Sequence, residues 1–65
     1  NIVANAILSL APAVPGLMAE GATFIASGII DSRKDEVIAG LKKAGLAVVE
    51  VKEKRGWECI VCKKA

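Results

Sequence analysis

Sixty-five residues of which 54% are hydrophobic allow one small domain, because a chain of this size buries only about 60% of its unfolded surface. The apolar content exceeds what so short a chain hides, and the excess predicts surface meant for a partner or for the rest of a larger domain. A net charge of +2 is too small to predict a nucleic-acid partner, which calls for several cations gathered on one face, and a chain without histidine holds no Ser/His/Asp set.

Asn1 is not an initiator residue, in keeping with an expected piece of a longer chain. Ile2 to Met18 is strongly apolar, but Asn5, Pro12, Pro15 and Gly16 interrupt it, Glu20 closes it and no Lys or Arg precedes it. Neither a membrane span nor a signal peptide is predicted there. Ile2-Val3-Ala4 predicts a short buried strand with its carboxyl end at Asn5. Ile7, Leu8, Leu10, Ala11, Val14, Leu17 and Met18 recur at three- and four-residue spacing and predict a helix within Ile7 to Ala19. Its prolines are tolerable in a first turn, where a missing N–H costs little.

Ala22 to Gly28 is apolar or small throughout, without charge or alternation, and predicts a central strand buried on both faces. Asp31 and Ser32 offer side-chain oxygens for the start of the next helix, and Asp35 and Glu36 add negative charge to its positive end. Val37, Ile38, Leu41 and Ala44 form its apolar stripe, with Gly45 as its stop. Leu46 to Glu53 is a third predicted strand, Lys54-Arg55-Gly56 a turn and Trp57 to Cys62 a fourth strand. So short a turn forces the last two strands to pair antiparallel, because a parallel pair needs a long crossover. The predicted order is β-α-β-α-β-β, an α/β arrangement whose ligands belong at the carboxyl ends of the strands.

Candidate chemistry is sparse. Cys59-Ile60-Val61-Cys62 spells C-x-x-C, but in a strand the two positions are about 10 Å apart and point to opposite faces, too far for a disulfide. No further His or Cys completes a zinc site, so no metal is predicted, and packing of reduced thiols in an intracellular protein is the expectation. The dispersed glycines form no phosphate loop. Lys52, Lys54, Arg55, Lys63 and Lys64 suit a solvated strand edge and tail. Trp57 is expected to pack on a helix, with ligand stacking as the other use. Asn5 leaves two readings open: a carbonyl and an NH₂ offered to a substrate amine or cofactor, or a local turn or cap.

Val3-Ala4-Asn5, Phe24-Ile25-Ala26-Ser27-Gly28-Ile29-Ile30, Arg33-Lys34-x-Glu36-Val37 and Gly56-Trp57 together resemble the closing half of the PrmA-type ribosomal-protein methyltransferases, which act on protein eleven of the large subunit. The resemblance covers nearly the whole chain. It implies a class I Rossmann-like methyltransferase sheet, of which residues 1–65 form the C-terminal half with the last strand antiparallel, and S-adenosylmethionine as cofactor. It also implies the spatial order Ile2–Ala4, Ala22–Ser27, Trp57–Cys62, Leu46–Glu53 and a role for Asn5 beside the methyl donor, in contact with the incoming amine. Such a transfer is an in-line displacement that needs aligned partners more than a strong base. The glycine-rich loop and the acidic residue that hold the cofactor in this family have no counterpart in these residues, so the cofactor-binding residues stay unassigned. The family also carries several more residues between the Asn and the helix that here begins near Ile7.

The expectation is thus an enzyme part, inactive by itself, of a cytoplasmic protein N-methyltransferase with a ribosomal-protein substrate, no membrane and no direct nucleic-acid contact. Self-association of the isolated piece through an unpaired strand edge is expected as well. The alternative is a non-enzymatic α/β module that uses its apolar excess to dimerise.

Overall fold

A computed structural model describes residues 2–65. Its elements are helix α1 (Ile2–Leu10), a 3-10 turn (Ala11–Ala13), the short helix α2 (Val14–Leu17), strand β1 (Thr23–Ile30), a second 3-10 turn (Asp31–Arg33), helix α3 (Lys34–Lys43), and strands β2 (Leu46–Lys54) and β3 (Trp57–Lys64).

The first of these corrects the expected strand: Ile2-Val3-Ala4-Asn5 is the opening of α1, and Asn5 lies inside the helix instead of closing a strand. The reason is visible in the side chains that reach the core. Ala4, Ile7, Leu8 and Ala11 follow one another at helical spacing with no Gly or Pro between them, and all four join the core cluster. With only Ala6 between Asn5 and Ile7, the helical period of the second segment continues backward through the first. The single helix expected within Ile7 to Ala19 is broken: Pro12 and Pro15 follow the end of α1 and fall in the first turns of the separate 3-10 and α2 segments.

β3 lies between its neighbours and runs antiparallel to both, giving the order β1-β3-β2 expected for the last three strands. The expected strand Ile2–Ala4 at the edge beside β1 is absent among the described residues, since those residues are helical. β1 extends to Ile30, past the Gly28 expected to end it. Ser27 and Gly28 form a bulge between the pairs Ala26–Ile60 and Ile29–Glu58. Gly28 has φ of 77°, which a residue with a Cβ adopts only under strain. At the hairpin Arg55 and Gly56, with φ of 53° and 82°, make the two-residue turn whose handedness matches the twist of the flanking strands.

One face of the sheet carries the helices. Ala26, Ile29, Leu46, Ile60 and Cys62 from the strands meet Ala4, Ala11, Val14, Val37 and Leu41 from the helical segments. Gly40 allows α1 to lie close on α3: a Cβ there would collide with Leu8 Cδ2. The other face is open among the described residues. Ile25 pairs with Val61 and Ile30 with Trp57 on that side, and Ile25 is 61% exposed. β1, expected to be central and covered on both faces, thus lies at an edge of the described sheet and is covered on one face.

Asp31 and Ser32 do not cap α3, which starts at Lys34 after the 3-10 turn with no side-chain cap. Asp31 instead uses its backbone N–H, donated to the Gly56 carbonyl at 2.9 Å. The helix ends at Gly45 as expected, with φ of 100°. Lys63 and Lys64 latch the segment between α2 and β1, donating to the carbonyls of Gly21 and Met18 at 3.1 and 3.0 Å.

Candidate functional site

Because β1 and β2 are both antiparallel to β3, they run in the same direction, and their carboxyl ends share one edge of the sheet with the start of β3. The Asp31–Gly56 hydrogen bond ties the loops of that edge together. Ligands of open α/β sheets bind at such an edge.

Arg33, three residues beyond the end of β1, brings the charged and polar groups of the edge into one chain. Its Nε donates to Glu36 Oε1 at 2.6 Å and its Nη2 to Glu36 Oε2 at 3.1 Å. The same Nη2 donates to Asn5 Oδ1 at 2.7 Å. Asn5 is exposed, so α1 presents it to solvent at the carboxyl end of β1 with its carbonyl held and its NH₂ open. The hydrogen bond from Arg33 holds the Glu36 carboxyl below its usual range, against a smaller desolvation effect and with further help from the guanidinium charge. Glu36 in turn raises the Arg33 guanidinium.

Sequence reasoning named Asn5 but missed its partner. Arg33 read as one polar residue of an amphipathic helix, and nothing in the chain links positions 28 residues apart. Glu58 was missed too, although a signal was available. Strict alternation along β3 puts Glu58 on the same side as Ile60 and Cys62, and the structure buries all three.

Trp57 does not pack beneath a helix. It is 53% exposed on the open face, where it lines a shallow cavity of about 320 Å³ with Ser27, Gly28, Lys52 and Cys59. A second cavity of about 340 Å³ lies between α1 and α3, lined by Leu8, Pro12, Gly40, Lys43 and Ala44. Cys59 and Cys62 are free thiols. Cys62 is packed in the core as expected, and its burial pushes the thiol pKa up. Among the described residues no group of three or more His, Cys, Asp or Glu side chains could hold a metal ion. No helix among the described residues is long and apolar enough to cross a membrane.

The family model described as "Ribosomal protein L11 methyltransferase (PrmA)" matches residues 1–65. A curated protein of Agathobacter rectalis named "Ribosomal protein L11 methyltransferase" is 41% identical over 64 residues, covering 98% of this chain and 20% of the relative. Proteins of the same name from Desulfitobacterium hafniense and Caldicellulosiruptor saccharolyticus are 49% identical over 57 residues and 42% identical over 64. They are covered over 18% and 21% of their own lengths, and this chain over 88% and 98%. The chain thus spans about a fifth of the curated relatives it matches. By a family match that runs from its first residue to its last, this chain belongs to the PrmA family of ribosomal protein methyltransferases.

Proposed function

We propose that these residues are the closing part of the catalytic domain of an S-adenosylmethionine-dependent methyltransferase that modifies amino groups of large-subunit ribosomal protein eleven. The observation that carries this reading is the match of the family model to residues 1–65. The sheet supports it: β3 sits between β1 and β2 with its direction reversed, which is the arrangement the class I fold implies for its last three strands.

The described residues do not fit the cofactor. S-adenosylmethionine carries a cationic sulfonium, but in the first cavity Glu53 and Glu58 only offset Lys52 and Lys54, and the second is lined by Lys43 without an acid, so neither presents a net negative lining to hold it. No step of the transfer is assigned to residues holding that group, whose place is in the remainder of the protein.

Asn5 is the residue we assign to the amine. Its support is position: an exposed amide, fixed by Arg33 at the edge where the strands end. Held by its carbonyl, the side chain offers its NH₂ outward, and rotation away from Arg33 would free the carbonyl to accept an N–H of the incoming amine. An uncharged amine aligned for in-line attack is what the displacement requires.

The test is methyl transfer by the complete protein, with isotopically labelled S-adenosylmethionine and purified large-subunit protein eleven. Label in amino groups of that protein supports the reading, and a complete, folded enzyme that leaves it unlabelled contradicts it.

A further inference from the structure

Glu58 is the acid that the fold buries and leaves alone. It is the second residue of β3 and only 3% exposed. Its Oε1 is shut off from solvent and has no hydrogen-bond partner among the described residues. The register sets Ile29 on one side of it and Glu53 on the other. The neighbour across β2 is thus a like charge, which repels instead of compensating.

The lysines of the same hairpin do not solve the problem. Lys52 pairs with Cys59 and Lys54 with Trp57, and alternation along the strands turns both toward the open face, away from Glu58. Arg33 is committed to Glu36 and Asn5. A buried carboxylate without a partner is strongly unfavourable, and buried charges in folded proteins are paired.

We infer that Glu58 is the acceptor for a Lys or Arg side chain supplied by the remainder of the same polypeptide. This rests on the reading that the chain is one part of a longer methyltransferase, and the relatives, about five times its length, leave ample sequence to supply that side chain. Burial favours this source over the substrate. At 3% exposure the carboxylate suits a permanent neighbour more than an amine that must come and go, and the cavity that Glu58 lines with Trp57, Ser27 and Gly28 is where such a side chain has room. The site is at the carboxyl edge, so the cation would pin the remainder of the domain against the start of β3.

The experiment compares the complete wild-type enzyme with Glu58→Gln and Glu58→Met, two replacements of similar length that remove the charge. Removing one partner of a buried pair leaves the other stranded, so Glu58→Gln should lower Tm by on the order of 10 °C, and Glu58→Met at least as far. The methylation KM of whatever folds should be unchanged. A Tm that rises or holds steady in Glu58→Met means that the carboxylate had no cation, and overturns the inference. A steady Tm with a raised KM places the cation on the substrate and overturns it too. Should neither variant fold, a structure of the complete wild-type enzyme decides: a Lys or Arg nitrogen about 2.8 Å from Oε1 supports the pair, and its absence sinks it. Wild-type methylation of protein eleven tests the parent reading separately, without touching Glu58.

Discussion

Asn5 Oδ1 accepts a hydrogen bond from Arg33 Nη2 at 2.7 Å, joining the first helix to the turn that follows β1. Arg33 is fixed in its turn by Glu36, so three residues from two segments set the direction in which the Asn5 amide faces. Loss of Arg33 should therefore act through Asn5. In the complete enzyme, Arg33→Ala should reduce methyl transfer while Arg33→Lys, which keeps the charge but cannot span both partners, restores little of it. Equal activity of the two variants with wild type would remove Arg33 from the positioning of Asn5.

The Arg33–Glu36 pair also makes a statement about pH. Glu36 is lowered in the folded chain, chiefly by the hydrogen bond from Arg33. A depressed carboxyl contributes stability that is present above its unfolded pKa and lost as pH falls through the folded one. The Tm difference between wild type and Glu36→Gln should accordingly be small at neutral pH, as befits a surface pair, and vanish in acid. A difference that grows in acid would contradict that sign.

Gly28 fixes the bulge in β1, with φ of 77° and Val3 Cγ1 3.7 Å from where a Cβ would stand. The space is adequate, and the backbone is the obstacle. Gly28→Ala should cost about 1–2 kcal/mol from conformation alone, read as a lowered denaturation midpoint of the complete enzyme with an unchanged m-value. An unchanged midpoint would mean that the bulge rearranges without strain.

Cys59 and Cys62 should separate in reactivity. Cys62 is fully buried and its thiol raised by burial, whereas Cys59 is half-buried on the open face. Near pH 8.5, an alkylating reagent followed by peptide mass analysis should label Cys62 far more slowly than Cys59. A raised thiol contributes stability below its unfolded pKa that is lost as pH rises through the folded one, so labelling of Cys62 should accelerate steeply in stronger alkali. Equal labelling of both at mild pH would contradict the core position of Cys62.

The parts of the fold legible in the sequence were those with long, unambiguous patterns. Val37, Ile38, Leu41 and Ala44 mark one helix face over two full turns, and Lys54-Arg55-Gly56 leaves no room for anything but a hairpin. Ile2-Val3-Ala4 was too short to show a period, and two β-branched residues tipped it toward a strand. Only the contacts of Ala4 with the core, in step with Ile7, Leu8 and Ala11, settle it as helix. The open face of β1 was illegible for a different reason. An uncharged run such as Thr23 to Ile30 is compatible with one covered face or two, because nothing polar marks the second.

The site was legible to the same degree. Asn5 stood out because it was read as closing a buried strand at the edge where ligands bind, whereas the structure sets it inside α1, and its partner Arg33 is distant in sequence and ordinary in composition. Glu58 hid among the charges of the hairpin, since Glu50, Lys52, Glu53 and Lys54 make one more acid look like solvated surface. The alternation that sets Glu58 on the side of Ile60 and Cys62 was the mark that separates it from them, and the register opposite Ile29 agrees.

The most direct measurement of the role given to these residues is single-turnover methylation of large-subunit protein eleven by complete enzyme carrying Asn5→Ala, beside its Tm and its cofactor affinity. Within a helix, alanine gains intrinsic propensity while the exposed hydrogen bond to Arg33 is lost, so stability should change by no more than about 1 kcal/mol. If Asn5 aligns the amine, transfer should slow by roughly a hundredfold, equivalent to on the order of 3 kcal/mol at the transition state, with cofactor affinity nearly constant. Near-normal transfer by a folded Asn5→Ala enzyme would contradict the assignment and leave Asn5 as a tie between two helical segments.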